Sequence, residues 1–559
     1  MKIAKDELIK VLSQFNPWWR GEGIPDLPTW QRASFQELFT WVYNPPAPRA
    51  VLLSGARQVG KTTLLLQAIN NLIKNGIPPA NIFYATFDHP IIKMAGIDAA
   101  LETWREREPK VPGPEYLFLD EAQFMRDWGT WVKLQVDFNK SRRIVFTGSA
   151  IPLVHSGQES GVGRWHTIRI TTLSFYEYLQ LKRYTSFEKS YFVISNDFDK
   201  LVNLKFRTDL PVDLDLIKKD EPLLRPFIPK LDSDLYKSIF EEGKEWNLPE
   251  INKIDFFKDR MFSLPKLPEL KSLRDLFDWP PHKFYQVTEL AIPYVGHFHE
   301  YLVRGGFPQT AQVDSISQAQ RLLREDIIDK VLKRDMTALF GVRRVLDLEQ
   351  TFLYLCMHDG GLLDMPKLCE NLEVKRPTAL HFIELLEATH LIYRLQPFGY
   401  GKDILRAKYK IYLADAAIAP AVMLKGKSIL DNPAALGIAT ETAVFKHLFA
   451  RYYPQDVRFT YWRGIKNHEV DLVAQIGDRI IPFEVKYRAQ HTGARELRGL
   501  LELCKEKSVK HAYVVTKSLD DFGLLDNTNL PNTKIMRIPA PLLCYWMGES
   551  ELSQTNSFD

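Results

Sequence analysis

The sequence predicts an α/β fold in which a parallel sheet near the start is followed by a helical middle region and by a second α/β domain near the end. Three observations support this prediction. Apolar strand-like runs alternate with helical patterns between residues 50 and 146, a glycine-rich loop follows the first of these runs, and two β-rich runs joined by a turn lie between residues 469 and 486. Strands that alternate with helices are typical of parallel sheets. At 559 residues, the chain is long enough for several domains.

The glycine-rich loop has the pattern of a phosphate-binding loop. Residues 55 to 62 read Gly-Ala-Arg-Gln-Val-Gly-Lys-Thr, between an apolar run at 50–53 and a helical run at 63–69. In such a loop the backbone N–H groups surround phosphates, the lysine neutralises their charge, and the threonine hydroxyl holds Mg²⁺. The sequence therefore predicts a P-loop NTPase sheet that binds ATP with Mg²⁺, with Lys61 and Thr62 in these two roles.

Two acids end the strand-like run at 116–119. We expect Asp120 to reach Mg²⁺ together with Thr62, and Glu121 to orient and deprotonate the attacking water. This pair predicts hydrolysis of ATP as well as binding. The alternative is a buried strand that ends at an acidic helix start.

Three more residues extend the predicted nucleotide site. Asp88 and Ser149 follow strand-like runs, so both should lie at the carboxyl edge of the sheet, although an ordinary turn is the alternative for Asp88. Arg164 lies in a glycine-rich loop, where it could act as an arginine finger on a neighbouring subunit of a homo-oligomer; a solvated loop arginine is the alternative. The expected nucleotide-binding residues are Gly55, Arg57, Gly60, Lys61, Thr62, Thr63, Asp88 and Ser149.

The two β-rich runs near the C-terminus carry a second constellation. Asp471 lies in the run at 469–474, and period-two alternation places Glu484 and Lys486 on one face of the next run. This is the pattern of the PD-(D/E)XK nucleases, in which two acids hold a divalent metal and the lysine assists the attacking water. Glu441, in a helical run, supplies the further acid of such sites. The sequence predicts a restriction-endonuclease-like α/β domain with Mg²⁺ or Mn²⁺ at Asp471 and Glu484; the alternatives are chance occurrence and DNA binding without cleavage.

The middle region has a winged-helix order. Three short helical runs and a strand-like run follow one another between residues 346 and 395. The recognition helix would be 375–388, and DNA would contact Lys375, Arg376, Thr378 and His381. Winged helices also bind proteins, so a protein partner is the alternative.

Further motifs make the chain resemble a family of archaeal and bacterial P-loop ATPases with a restriction-endonuclease-like C-terminal domain. They are Asn-Pro-Trp-Trp-Arg at 16–20, Leu-Asp-Glu-Ala-Gln at 119–123, Thr-Gly-Ser at 147–149, Leu-Ser-Phe-Tyr-Glu-Tyr-Leu at 173–179 and Gly-Gly-Phe-Pro at 305–308. The resemblance implies an AAA-related ATPase with suspected roles in DNA processing and mobile-element biology. The family normally places the last two motifs close together, so much of the sequence between them should be an insertion.

We therefore expect four segments. They are an AAA-related P-loop ATPase domain with an N-terminal extension (1–182), an insertion of unknown fold (183–291), a helical and winged-helix domain (292–425) and a nuclease-like domain (426–559). The insertion is rich in prolines and charges and carries no catalytic pattern. It could be an accessory substrate-binding or oligomerisation element or could bind a protein partner; a long surface excursion is the alternative.

Composition limits the partners. The 73 basic residues are offset by 69 acidic ones, so any DNA path must be a local patch, with candidates at 321–334 and 402–410. A solvated helix face is the alternative for the first patch. The four cysteines form no C-x-x-C pair, so we expect neither zinc nor disulfides. The start lacks the apolar core of a signal peptide, and no apolar stretch approaches the ~20 residues of a membrane span, so we expect a cytoplasmic protein without a membrane partner.

These patterns lead to three hypotheses of function. The leading one is an ATP-hydrolysing DNA-binding protein that remodels or translocates DNA, with branched DNA among the candidates, and that cleaves DNA if its nuclease-like site is active. The second is an ATP-gated switch or defence effector regulated by a partner. The third is a nucleic-acid-binding scaffold that binds ATP without hydrolysing it.

Overall fold

The structure is a computed structural model that describes residues 3–149, 163–185, 192–194, 202–204, 264–399, 408–464, 468–488, 490, 491, 493, 496–525 and 530–553. Most of the predicted insertion and residues 402–407 of the second basic patch lie outside the described residues. The chain divides into two compact units, one formed by Met1–Leu181 with Pro268–Asp559 and the other by Lys182–Leu267. Residues 268–291, which we expected in the insertion, thus belong to the first unit.

Five parallel strands form the first sheet, in the order β2-β3-β4-β1-β5. They are β1 (Ala50–Gly55), β2 (Ile82–Thr86), β3 (Glu115–Asp120), β4 (Arg142–Gly148) and β5 (Trp165–Ile170). Every residue of the first three strands is buried, as expected for a parallel sheet with helices on its faces. This sheet confirms the predicted α/β fold class.

Among the described residues, six helices accompany this sheet. They are α1 (Lys5–Phe15), α2 (Ser34–Tyr43), α3 (Lys61–Lys74), α4 (Pro90–Arg107), α5 (Trp128–Phe138) and α6 (Phe175–Thr185). Apolar side chains of α1, α4 and α5 pack with those of the strands in one core.

The Asn-Pro-Trp-Trp motif covers the outer strand β2. The Asn16 side chain donates to the carbonyl of Tyr84 at 2.8 Å and accepts from its N–H at 2.8 Å. The indole N–H groups of Trp18 and Trp19 donate to the carbonyl of Ile82 at 3.2 and 2.9 Å. The motif thus satisfies backbone groups that an edge strand would otherwise leave open.

Helices dominate the middle region. They are α7 (Pro281–Arg304), α8 (Pro308–Gln312), α9 (Ile316–Leu322), a π-helical segment (Leu323–Asp335), α10 (Met336–Phe340), α11 (Val345–Met357), α12 (Met365–Leu372), α13 (Arg376–Ala388) and α14 (Ile418–Val422). Strands β6 (Phe192–Ile194) and β7 (Val202–Leu204) form an antiparallel pair in the other unit.

The second large sheet is mixed and has eight strands in the order β14-β15-β13-β12-β11-β10-β8-β9. They are β8 (Ile392–Pro397), β9 (Lys410–Leu413), β10 (Arg458–Arg463), β11 (Glu469–Ile476), β12 (Arg479–Lys486), β13 (His511–Thr516), β14 (Gly523–Leu524) and β15 (Lys534–Pro539). Its helices are α15 (Pro433–Tyr452), α16 (Arg498–Glu506) and α17 (Ala540–Ser553). Since β8 pairs with β10, the middle region and the C-terminal segment share this sheet.

Short 3₁₀ helices complete the described elements at Pro17–Arg20, Pro79–Asn81, Ala122–Phe124, Leu273–Asp278, Gly426–Asp431, Tyr453–Gln455 and Leu519–Asp521. Among all helices in the described part of the chain, none combines the length and the apolar character that crossing a membrane requires.

Two motifs that are far apart in the sequence meet beside β5. The N–H of Leu173 donates to the carbonyl of Gly306 at 2.6 Å, and the N–H of Gly306 donates to the buried carboxylate of Asp415 at 3.0 Å. Glu177, in the first motif, forms a buried ion pair with Arg32 at 2.9 Å. The Leu-Ser-Phe-Tyr and Gly-Gly-Phe-Pro motifs are therefore two halves of one packing contact.

This contact predicts that Gly306→Ala destabilises the protein. A Cβ at Gly306 would lie 2.5 Å from the carbonyl oxygen of Leu173 and 2.9 Å from its nitrogen, so backbone would have to move. We expect a loss of about 1–3 kcal/mol, measured as a lower Tm in thermal unfolding. Gly23→Ala is the matched control, since its Cβ would meet nothing within 4 Å. Equal Tm values for both variants would contradict the prediction.

Candidate functional site

The predicted phosphate loop lies between β1 and α3. Strand β1 ends at Gly55, and α3 begins at Lys61. A Cβ at Gly55 would lie 2.3 Å from the carbonyl oxygen of Ile170 in β5, and Gly60 has a φ of +97°. Both positions therefore require glycine, one for close packing and one for its backbone conformation.

Lys61 lies inside the loop. Its Nζ donates to the carbonyls of Gly55 at 2.9 Å and Ala56 at 2.8 Å, and its exposed fraction is only 5%. Burial lowers the pKa of Lys61, although the charges of Glu121 and Asp120 oppose this shift. The ammonium is thus held by carbonyl oxygens at the position where the loop pattern places phosphate oxygens.

Asp120 is the centre of a hydroxyl cluster. It accepts hydrogen bonds from Thr62 Oγ1 at 2.7 Å, Thr147 Oγ1 at 2.5 Å and the Tyr84 hydroxyl at 3.1 Å. Burial, followed by the charge of Asp120, raises the pKa of the Tyr84 hydroxyl well above its usual value. A hydroxyl and a carboxylate in contact are the hard oxygen ligands that Mg²⁺ prefers, so Thr62 and Asp120 fit this ion.

Glu121 lies next to this cluster with a φ of +52°. Its N–H donates to Thr147 Oγ1 at 2.9 Å, and its carboxylate contacts the Gln123 amide, which also lies 3.3 Å from Ser149 Oγ. Burial raises the pKa of Glu121, while the positive charge of Lys61 opposes the shift. A carboxylate with a raised pKa is suited to accept a proton from water near neutral pH.

The other predicted nucleotide-site residues have varied surroundings. Arg57 forms a pair with the buried Asp335, with both carboxylate oxygens at 2.9 Å from Nη1. Thr63 lies in the first turn of α3, and the exposed Asp88 accepts a hydrogen bond from Thr86 in a local turn. Arg164 precedes β5 at the amino end of the sheet, opposite the loop, where it pairs with Asp137 at 3.1 Å.

Residues that the sequence analysis did not single out also surround the loop. Arg32 donates to the carbonyl of Val59 at 2.9 Å, and a Cβ at Gly60 would lie 3.9 Å from both Arg32 and Pro308. Thr147 and Gln123 could have been found from their positions in the quoted motifs. Tyr84, Asp335 and His390 have no local signal in the sequence, because their roles depend on the fold.

His390 connects the end of β1 to the middle region. Its Nε2 lies 2.8 Å from Ser54 Oγ, and its Nδ1 lies 3.3 Å from the guanidinium of Arg169. Burial lowers the pKa of His390 well below its ordinary value, and the positive charges of Arg169 and Lys61 lower it further. The imidazole is therefore neutral in the folded protein at neutral pH.

This lowered pKa predicts a stability that falls as the pH decreases below about 6.5, where His390 of the unfolded chain takes up a proton and the folded chain does not. The contribution is fully present above the unfolded pKa. It is lost, by up to about 1.4 kcal/mol per pH unit, until the pH reaches the folded pKa. His390→Asn should flatten the dependence of Tm on pH between 7 and 5, whereas the same change at the exposed His282 should not. Parallel pH profiles for the wild-type chain and His390→Asn would refute this assignment.

The four predicted residues of the C-terminal constellation lie together. Asp471 accepts from the N–H of Val485 at 2.9 Å, its own N–H donates to Glu484 at 3.3 Å, and Lys486 forms an ion pair with Glu484. Glu441 accepts from the hydroxyl of Tyr412 at 2.6 Å.

Lys410, from β9, lies at the centre of this cluster. Its Nζ is 2.9 Å from an oxygen of each of Glu441, Glu469 and Asp471. Burial would lower the pKa of Lys410, but the carboxylates of Asp471 and Glu441 outweigh it and raise the pKa. Burial, followed by the charge of Asp471, raises the pKa of Glu484.

The predicted metal at Asp471 and Glu484 does not fit this arrangement, because the ammonium of Lys410 contacts an oxygen of Asp471 and the ammonium of Lys486 contacts an oxygen of Glu484. Within the described residues, no group of three or more His, Cys, Asp or Glu side chains is suited to hold a metal ion. Nothing in the cluster supports Mn²⁺.

The predicted DNA-contacting residues have two kinds of surroundings. The side chain of Lys375, which precedes α13, and those of Arg376 and His381 on α13 are exposed, and Thr378 is partly exposed. The patch at 321–334 is largely neutralised by pairs along its helix, which are Arg321 with Glu325, Lys330 with Asp326, and Lys333 with Asp329.

Comparison with protein families identifies the first domain. Residues 47–179 match the model of an AAA domain, residues 295–428 match a domain of unknown function (DUF8612), and residues 436–540 match another (DUF4143). The AAA match and the parallel sheet with its phosphate loop show that the first segment is an AAA-related P-loop ATPase domain.

Two curated proteins are similar to this chain in sequence. An uncharacterized protein of Haemophilus influenzae is 23% identical over 449 residues, which are 78% of this chain and 82% of the relative. An uncharacterized protein of Mycobacterium tuberculosis is 26% identical over 203 residues, which are 36% of this chain and 45% of the relative. A solved structure of AMPPCP-bound DnaA from Aquifex aeolicus is 14% identical and covers 63% of this chain and 85% of that chain. Its TM-score of 0.19 is too low to support a conclusion about this chain.

Proposed function

We propose that the protein hydrolyses ATP and uses the hydrolysis to act on DNA through its helical middle region. The observation that carries this proposal is the contact of Thr62 with Asp120, next to Glu121, at the mouth of a complete phosphate loop. These residue types in contact are what ATP hydrolysis requires.

Residues in the loop and next to it have definite tasks in this proposal. Lys61 exchanges its two carbonyl partners for phosphate oxygens, and Thr62 with Asp120 would hold Mg²⁺. When bound, Mg²⁺ neutralises charge on the phosphates. Glu121 accepts a proton from the attacking water. The Gln123 amide contacts both the Glu121 carboxylate and Ser149 Oγ, and so holds the carboxylate in position.

Two contacts would transmit the nucleotide state to the middle region. The Arg57–Asp335 pair connects the loop to the π-helical segment, and the Ser54–His390 hydrogen bond connects β1 to the residues between α13 and β8. If ligand binding moves one residue of a buried pair, its partner must move with it or the contact between them must break.

The DNA-binding part of the proposal rests on α11, α12 and α13. These helices are followed by the antiparallel strands β8 and β9, and Leu362 bridges to Lys410 beside them. This order supports a winged helix, and the exposed Lys375, Arg376 and His381 would contact the phosphate backbone or a groove.

The second candidate is an ATP-gated switch that responds to a protein partner. The observation that favours it is the neutralised patch at 321–334, which leaves less positive surface for DNA than the sequence suggests.

In both candidates Arg164 is proposed to act on a neighbouring subunit of a homo-oligomer, since its place at the amino end of β5 keeps it away from its own loop. Metal-dependent cleavage of DNA stays a prediction of the sequence, and Lys410 argues against it.

Steady-state ATP hydrolysis by three variants tests the assignment of the loop. Lys61→Ala should abolish ATP binding, because the loop then lacks the ammonium that neutralises the phosphates, and its other cation, Arg57, is paired with Asp335. Glu121→Gln should keep ATP binding and lower kcat by roughly 100-fold or more, because an amide cannot accept the proton. The control is Glu102→Gln at an exposed position of α4, which should hydrolyse ATP normally. Normal turnover by Glu121→Gln would remove Glu121 from its role.

The same assay with single-stranded, duplex and four-way-junction DNA distinguishes the candidates. DNA stimulation by at least one form, reduced in Lys375→Glu/Arg376→Glu, is expected for the DNA-coupled ATPase. Lys425→Glu/Lys427→Glu makes the same charge change at exposed positions outside α13 and should keep the stimulation. Hydrolysis that is indifferent to every DNA form would favour the partner-gated switch, and ATP binding without hydrolysis would favour a scaffold.

A further inference from the structure

The C-terminal carboxylate cluster contains a cation that the chain itself supplies. Lys410 Nζ has three oxygen neighbours, each at 2.9 Å, from Glu441 on α15 and from Glu469 and Asp471 on β11. An ammonium has three N–H donors and no acceptor, so these three carboxylates satisfy it completely. The side chain of Lys410 is only 1% exposed.

All four oxygens of the two predicted metal ligands, Asp471 and Glu484, have partners in the structure. The second oxygen of Asp471 accepts from the N–H of Val485 at 2.9 Å, and the Glu441 oxygen that contacts Lys410 also accepts from the Tyr412 hydroxyl at 2.6 Å. The two oxygens of Glu484 contact Lys486 and the N–H of Asp471. A divalent ion needs several oxygens at about 2.0–2.6 Å, and it would have to displace these partners and approach an existing positive charge.

We infer that Lys410 takes the place of the metal ion, so that this cluster joins the middle region to the C-terminal segment and is not a metal-dependent nuclease site. Lys410 begins β9, which pairs with β8, and β8 pairs with β10 of the C-terminal sheet. The backbone next to it is fixed to the helical part of the middle region, since the N–H of Leu363 donates to the carbonyl of Tyr409 at 2.7 Å.

The chain thus carries the cation on one segment and the carboxylates on the other. Lys410, Glu441 and Asp471 are largely buried, whereas Glu469 is 30% exposed, so removing the cation or the buried carboxylates leaves buried charges without partners. The inference does not depend on ATP hydrolysis, and it holds or fails whichever function the ATPase domain serves.

Binding of Mn²⁺ to the full-length, nucleotide-free chain tests the inference. Titration of the wild-type chain and of Asp471→Asn, followed by the electron paramagnetic resonance of free Mn²⁺, should give the same number of bound ions. Mn²⁺ ions that bind elsewhere on the chain contribute equally to both titrations, so they do not affect the difference between the two counts. One Mn²⁺ fewer in Asp471→Asn would overturn the inference, because the carboxylates would then hold a metal in the presence of Lys410.

Thermal unfolding of Lys410→Met supplies a second, independent readout. This change keeps an apolar stem and removes the charge, so Tm should fall by about 5 °C or more. Added Mn²⁺ should restore part of the loss, since the carboxylates then lack a cation. Lys408→Met is the control, because Lys408 is half-exposed and pairs with Asp364, and its Tm should stay unchanged within about 1 °C. An unchanged Tm for Lys410→Met would overturn the inference. If Lys410→Met does not fold, the titration of the wild-type chain and Asp471→Asn still decides it.

Discussion

The phosphate loop is held in place by residues that lie hundreds of positions later in the chain. Arg57 in the loop pairs with Asp335, and Ser54 at the end of β1 bonds to His390. Asp335 is almost completely buried, so its charge can be accommodated only with a partner at short range. Separating the loop from the middle region would leave the buried Asp335 carboxylate without its partner, which is unfavourable in free energy. The conformation of the loop and the position of the middle region are therefore linked.

The same constraint recurs at other contacts between distant segments. Asp415 is buried and receives hydrogen bonds from Thr172 at 2.6 Å and from the N–H of Gly306 at 3.0 Å. Lys410 supplies the positive charge for carboxylates of the C-terminal segment. In each case a buried charge of one segment has at least one partner in another segment. If one partner is removed, the other charge stays buried without a partner, which is unfavourable in free energy. The described part of the first compact unit therefore depends on the correct packing of all its segments.

Sequence patterns predicted those features that depend on residues close together in the chain. The phosphate loop, Asp120 and Glu121 each follow a strand whose apolar run is visible in the sequence, and α13 lies within the expected recognition helix at 375–388. Glu484 and Lys486 are two residues apart on β12, so alternation alone places them on one face. The roles of Asp335, His390 and Lys410 could not be predicted, because nothing next to them in the sequence indicates their partners. The sequence places Lys410 at the end of a basic patch, although the fold buries it among acids.

Hydrogen exchange of the full-length chain, with and without a non-hydrolysable ATP analogue, tests the linkage between loop and middle region most directly. The account predicts slower exchange in the loop at 55–62 and also in the segment Leu323–Asp335, which carries the partner of Arg57. In Asp335→Asn the response of this segment should decrease while that of the loop persists. A response confined to the loop in the unaltered chain would contradict the account.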